Sequence, residues 1–291
     1  MEFHSFTLCC RGRLVSFDRP AVLGILNVTT DSFYDGGRYT TPEAIVAQAR
    51  SLLSQGADII DIGVVSSRPG AQLLSPEAEA DKLAPVVTLL RKELPEETLL
   101  SVDTCFSLPA AKAVEAGADI VNDISGGQFD PQMFPTVAAL QVPYILMHTR
   151  GTPDTMQSPE NTRYDNIIAD LALYFSEKLD SLLRLGVKDI ILDPGFGFAK
   201  TVEQNYELLD RLDELVALFP GRPMLVALSN KSMISKRLGA FQSTTDGLPP
   251  TEYGTLALNA IALDRGARLL RVHTPYPTRI ATQIMCKCDN V

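Results

Sequence analysis

Polar and ionisable side chains recur at one kind of position in this chain, directly after short aliphatic runs. Asn27, Asp61 with Gly63, Asp103, Asn122 with Asp123, His148, Asp193, Ser229 with Lys231, and Arg271 with His273 follow eight such runs. Asp103, Asn122, Asp193 and Lys231 make one chemical set. Carboxylates accept from N–H groups, and an amide both donates and accepts. The set suits an amino-substituted heterocycle with a donor–donor–acceptor edge, such as a pterin or a guanine-like ring. An Asp after a strand also serves as a helix cap, so the set carries more weight than any single member.

A second set suits an anion. Arg271 and His273 flank Val272, so on a strand they point to the same side. Ser66-Ser67-Arg68-Pro69-Gly70 adds hydroxyls, a guanidinium and a glycine turn. Such groups bind phosphate or pyrophosphate. The neutral Asn27 suits a Mg2+ that bridges phosphate oxygens and waters. Two segments rich in turn residues, 29–37 and 64–75, fall on the same side of the fold as these groups. Loops of this kind close over reacting centres and exclude water.

The elements that must position these groups alternate. Strand-like runs fall at 22–26, 59–62, 99–102, 120–121, 144–147, 190–192, 224–228 and 269–272. Helical patterns fill the intervals at 42–53, 77–92, 166–185, 202–219, 253–263 and 276–285, with a further one after Ser107, read as its cap. Thr41 and Ser75 supply cap signals, and Pro85 predicts a kink or break. Gly56, Gly117, Gly186 and Gly266 each close a helix shortly before a strand, where a left-handed residue is needed. Eight βα units in this length predict a (β/α)8 TIM barrel, with an open doubly wound sheet as the alternative. In a barrel all eight strand ends meet at one mouth. Residues 6–8 and 14–17 flank Arg11-Gly12-Arg13 and predict a hairpin over the barrel bottom. The predicted organisation is one domain, with the hairpin in 1–20 and the barrel in 21–291.

Composition narrows the partners. The 291 residues carry 26 Lys+Arg against 35 Asp+Glu, a formal charge of −9. That balance argues against a nucleic-acid surface. No stretch approaches the roughly 18 apolar residues of a membrane span. The first residues lack the apolar core of a signal peptide. Five Cys without a C-x-x-C pair fit reduced thiols and a cytoplasmic location.

The motifs resemble those of the dihydropteroate synthase family. Gly24-Ile-Leu-Asn27-Val-Thr-Thr-Asp31-Ser-Phe-Tyr-Asp35-Gly-Gly37 resembles its first signature. Further similar blocks are Ser67-Arg68-Pro69-Gly70, Ser101-Val-Asp103-Thr104, Asn122-Asp-Ile124, Met147-His148 and Thr152-Pro-Asp-Thr-Met156-Gln157. Asp193-Pro-Gly-Phe-Gly-Phe198-Ala-Lys200, Lys231-Ser232 and Arg271-Val-His273 complete the series. They fall in family order from about residue 20 to 275. The resemblance implies a TIM barrel that condenses 6-hydroxymethyl-7,8-dihydropterin diphosphate with p-aminobenzoate. It places the pterin on Asp103, Asn122, Asp193 and Lys231. Pyrophosphate falls to Ser67, Arg68, Arg271 and His273, with Mg2+ on Asn27. Arg68, Pro69, Phe198 and Ser232 frame p-aminobenzoate. Asp35, Asp103, Lys231 and Arg271 are the implied catalytic set, Asp35 lying in the closing loop. A homodimer formed through late helices and sensitivity to sulfonamides are also implied.

The chain departs from the family pattern in four places, one of them Ser67 where the family usually has Thr. Val64-Val65 stands where the family reads Gly-Glu, Asn230 where it reads Arg, and Thr30 where it reads Pro. Loss of one carboxylate together with one guanidinium suggests that a pair was lost as a unit, because either alone strands a charge. Two other readings share the pterin subsite: a synthase-like paralogue without turnover, and a methyltetrahydrofolate-binding methyltransferase barrel.

Overall fold

The structure, a computed structural model, describes residues 4–28, 41–65, 74–239 and 249–286. Strands β1 (Phe6–Cys10) and β2 (Arg13–Phe17) pair antiparallel. Their two-residue turn has positive φ at both Arg11 and Gly12, the geometry that matches strand twist. Eight parallel strands follow: β3 (Ala21–Asn27), β4 (Ile59–Gly63), β5 (Leu99–Asp103), β6 (Ile120–Asp123), β7 (Tyr144–Met147), β8 (Ile190–Asp193), β9 (Leu225–Val226) and β10 (Leu269–Val272). Their order is β8-β7-β6-β5-β4-β3-β10-β9. The bridge between Leu192 and Met224 joins the two ends of that order, and Leu192 N–H donates to Pro223 O at 3.0 Å. The sheet is thus a nearly closed barrel, as the count of eight runs predicts.

Helices α1 (Pro42–Ser54), α2 (Pro76–Glu93), α3 (Ser107–Glu115), α4 (Met133–Leu140), α5 (Ile167–Arg184), α6 (Val202–Asp210), α7 (Leu212–Leu218), α8 (Ser232–Leu238), α9 (Pro250–Asp264) and α10 (Pro275–Met285) surround it. Thr41, Ser75 and Asn166 cap α1, α2 and α5 through side-chain oxygens. Gly56, Gly117, Gly186 and Gly266 all have φ between +88° and +112°.

Three details differ from the sequence pattern. Pro85 lies inside one uninterrupted helix. It sits on the exposed face, as does Asp81, so water can take the carbonyl that proline leaves without a donor. Ser107 is the first helical residue and not the cap. The Asp130 carboxylate accepts from its N–H at 2.7 Å and its hydroxyl at 2.6 Å. The segment 202–219 divides at Arg211, whose guanidinium bridges Glu207 and Glu214 across the break.

Side chains along the strands build the site by period two. Leu23, Ile59, Leu99, Ile120, Ile145, Ile191, Leu225 and Leu269 form an apolar floor inside the barrel. Phe6, Leu8, Cys10 and Phe17 of the hairpin pack beneath it. Two residues further along each strand stand Ile25, Asp61, Ser101, Asn122, Met147, Asp193, Ala227 and Arg271. The same spacing then brings Asn27, Gly63, Asp103, Ser229 and His273 to the mouth.

Candidate active site

Above the apolar floor the barrel opens into a cavity of about 830 Å3. Asn27, Asp103, Phe198, Lys231, Ser232, Arg271 and His273 line it, with Val65 and Asn230. Sequence reasoning assigned seven of these lining positions to substrate or metal. Asn122 and Asp193, also assigned to the pterin, are buried and tied to lining residues or their partners. Asp35, Ser67, Arg68 and Pro69 lie outside the described residues.

Arg271 is the electrostatic centre. Its Nε donates to Asp61 at 2.6 Å and its NH2 group to Asp103 at 2.8 Å. Asn122 donates to the same Asp61 oxygen at 3.1 Å. Burial opposes the Arg271 charge, but Asp61 and Asp103 outweigh it and hold the group protonated. Burial raises the Asp103 carboxyl to about 7. Arg271 pulls it down, while Asp61 pushes it further up. One cation therefore serves two carboxylates, and Asp103 is the one that faces the cavity.

Lys231 is the second cation. Burial lowers its ammonium to about 8, against the pull of Asp193. Its Nζ donates to the Phe196 carbonyl and lies 4.6 Å from the Phe198 ring centroid. Asp193 is raised by burial, with Lys231 opposing, and accepts from Gly195 N–H at 2.8 Å. His273 Nδ1 is 2.9 Å from the Ser229 hydroxyl, which also accepts from the His273 N–H. This pairing orients the ring from behind.

Not every polar strand end faces the cavity. Asp123 accepts from Tyr144 and from the N–H groups of Ser125 and Gly127, and so closes a turn. His148 is fully buried beside Tyr174 and meets Lys200 instead. Cys105 is buried and its thiol is pushed well up by burial, the setting of a structural cysteine.

The donors among the described residues fit a Mg2+ ion that would take most of its ligands from substrate oxygens and waters. No group of three His, Cys, Asp or Glu with metal-site geometry exists among the described residues. Asn27 offers one neutral oxygen at the mouth, and a Cβ on residue 63 would come within 3.6 Å of it. Mg2+ commonly keeps several waters and binds substrate phosphates with one or two protein oxygens.

The (β/α)8 barrel thus gathers acids, an amide and the cations Lys231 and Arg271 around one cavity, a site suited to an amino-substituted heterocycle that carries an anion. The family model described as pterin binding enzyme matches residues 23–273. The dihydropteroate synthase of Synechocystis is 44% identical over 88% of this chain and 85% of its own. The structure of the Yersinia pestis dihydropteroate synthase with a sulfonamide drug superposes with a TM-score of 0.85 at 36% identity, covering 96% and 97% of the two chains. The Xanthomonas albilineans dihydropteroate synthase with 4-aminobenzoic acid gives 0.83 at 37%, covering 97% of each. The chain belongs to the dihydropteroate synthase family.

Sequence reasoning missed the supporting residues. Asp61 was visible as a strand-end acid, but its partner lies 210 residues away. Asn230 donates to buried Glu252 at 2.8 Å, and Glu252 sits in a helix without any motif to mark it.

Proposed function

We propose that this chain joins 6-hydroxymethyl-7,8-dihydropterin diphosphate to p-aminobenzoate, giving 7,8-dihydropteroate and pyrophosphate. The observation that carries this reading is the convergence of Asp103, Lys231, Arg271, His273 and Phe198 on one cavity. The C–O bond of the pterin methylene breaks and its electron pair leaves with the diphosphate. The arylamine nitrogen bonds to that carbon and then releases a proton.

The acids and amide deep in the barrel, Asp103, Asn122 and Asp193, take the N–H edge of the pterin and favour positive charge spread over the ring. Arg271 and His273 receive the departing diphosphate. Lys231 donates to the pterin from the side that carries the Phe198 ring, and Phe198 with Ser232 frames p-aminobenzoate. Ser67, Arg68, Pro69 and Asp35 complete the anion, aryl and closing-loop contacts. Asn27 would hold Mg2+, which when bound neutralises diphosphate charge.

The test is turnover. With Mg2+ and both substrates, pyrophosphate release that requires p-aminobenzoate supports the reading. Tight pterin binding without release overturns it in favour of an inactive paralogue.

The hairpin shares a core with the barrel, which supports one domain. Exposed Tyr253 and Ile261 on α9, with Tyr276, Ile280 and Ile284 on α10, support a homodimer through these helices. Sedimentation at micromolar concentration tests that, and a monomer would overturn it. No helix among the described residues is long and apolar enough to cross a membrane.

A further inference from the structure

On the Phe198 side of the cavity, five consecutive carbonyls each accept from a side chain. Gly195 O and Phe198 O accept from Lys200 Nζ at 3.0 and 3.1 Å, Phe196 O from Lys231, Gly197 O from Gln157 at 3.1 Å, and Ala199 O from Tyr164 at 2.8 Å. Loop carbonyls usually turn to water or to the backbone. Here the backbone of a short segment is held from several elements at once.

Lys200 is the member that binds twice, and it is buried. Its third contact is His148 Nδ1 at 3.1 Å. Two protonation states satisfy this group. An ammonium donates to both carbonyls and to an accepting Nδ1. A neutral amine donates to both carbonyls and accepts from Nδ1–H. Either state leaves the Gly195 and Phe198 carbonyls held. Glycine is required at 195, where φ is +69° and a Cβ would collide with the His148 carbonyl. Gly197, also at positive φ, runs so close that a Cβ would lie 3.0 Å from Lys231 Cδ. A shift of this loop therefore moves both the carbonyl that Lys231 donates to and the ring beneath its ammonium.

We propose that Lys200 is a positioning residue: by holding the Gly195 and Phe198 carbonyls, it fixes the Phe196 carbonyl and the Phe198 ring against Lys231. The catalytic consequence rests on the synthase reading above, whereas the structural part does not.

Lys200→Met tests both parts. Amide hydrogen exchange read by mass spectrometry is expected to rise in peptides covering 195–199, while strand peptides keep their protection. The value of kcat/KM for p-aminobenzoate is expected to fall on the order of 100-fold, the penalty of a small misplacement near a reacting centre. Combined with Phe198→Ala, the loss is expected to be smaller than the product of the two single losses, because both act on one ring. Lys200→Gln retains donors and is expected to recover part of the rate. It serves for all readouts if the Met variant fails to fold. Unchanged exchange at 195–199, or strictly multiplicative losses, would overturn the proposal. If the wild-type protein shows no turnover, the synthase reading fails while the exchange measurement still decides the clamp.

Discussion

Arg271 is anchored by Asp61, a carboxylate with no exposed side-chain surface. The contact is 2.6 Å long and joins the last barrel strand to the second. Its partner contact to Asp103 is 2.8 Å, at the edge of the cavity. The guanidinium thus has one purely supporting acid and one that also meets ligand.

This arrangement sets an order of stabilities. Arg271→Met leaves two inward carboxylates without their cation, and breaking a buried pair in this way costs about 3–5 kcal/mol. Asp61→Asn leaves Asp103 on the guanidinium and removes one charge-assisted hydrogen bond, at a cost of about 1.5–3 kcal/mol. Urea denaturation compares them. Equal losses would mean that Asp103 does not share the cation.

The same cluster dictates a pH dependence. Asp103 titrates near 7 when folded, above its usual 3.8. Between those values the native state binds the extra proton, so its contribution is greatest below 3.8 and is lost as pH rises through 7. Lys231 titrates near 8 instead of 10.5. From that window the unfolded state binds more protons, so stability rises with pH between 8 and 10.5. For turnover, ionised Asp103 and protonated Lys231 coexist best between about 7 and 8. A kcat/KM profile in that form is expected, with Asp103→Asn removing the acidic limb. An unchanged acidic limb in that variant would assign it to another group.

The frame of this site was legible before any coordinates because the barrel repeats one rule. Each strand carries an aliphatic floor residue, five of the eight carry a polar residue two positions on, and four of the helices end at a glycine shortly before a strand. Arg271 reaches the cavity by that spacing, Asp103 and His273 by one further step of two, and Lys231 from the turn that follows β9. Their supports were not legible. Asp61 meets Arg271 only because the barrel closes, Asn122 braces that same Asp61 oxygen from β6, and Lys200 meets His148 from 52 residues away. The same rule also misplaced groups: His148 follows its strand as the others do, yet the aromatic wall of α5 buries it. Helices α4 and α8 are too short, at 8 and 7 residues, for periodicity to mark them.

Val65 and Asn230 stand where the family carries a carboxylate and a guanidinium, and both line the cavity. Asn230 has φ of +56° and donates to buried Glu252, while its Oδ1 is buried with no hydrogen-bond partner among the described residues. Glu252 gives an Arg at 230 a ready counter-charge. Asn230→Arg alone is therefore expected to be nearly neutral. Val65→Glu alone is expected to destabilise, since the partly buried Val65 packs on the core. The double variant is expected to recover about 0.5–3 kcal/mol of coupling. Thermal and urea unfolding of the four proteins measures it. A harmless Val65→Glu would mean that the two departures arose independently.

At the opposite end of the barrel, Asp119 is fully buried between Arg11 of the hairpin at 2.8 Å and Arg91 of α2 at 2.6 Å. It also accepts from Leu100 N–H at 2.8 Å. One carboxylate therefore locks the hairpin, a helix and a strand together beneath the floor. Asp119→Ala removes the shared carboxylate from two guanidinium groups and the acceptor from Leu100 N–H, and is expected to cost about 3–5 kcal/mol. Arg11→Ala, whose side chain is 29% exposed, leaves Arg91 in place and is expected to cost about 1 kcal/mol or less. Because barrel chemistry sits at the other face, both variants are expected to keep wild-type kcat/KM at temperatures where they remain folded. Urea midpoints and steady-state rates on the same preparations check this. A folded Asp119→Ala protein with a much reduced rate would show that the hairpin end governs the mouth geometry as well as stability.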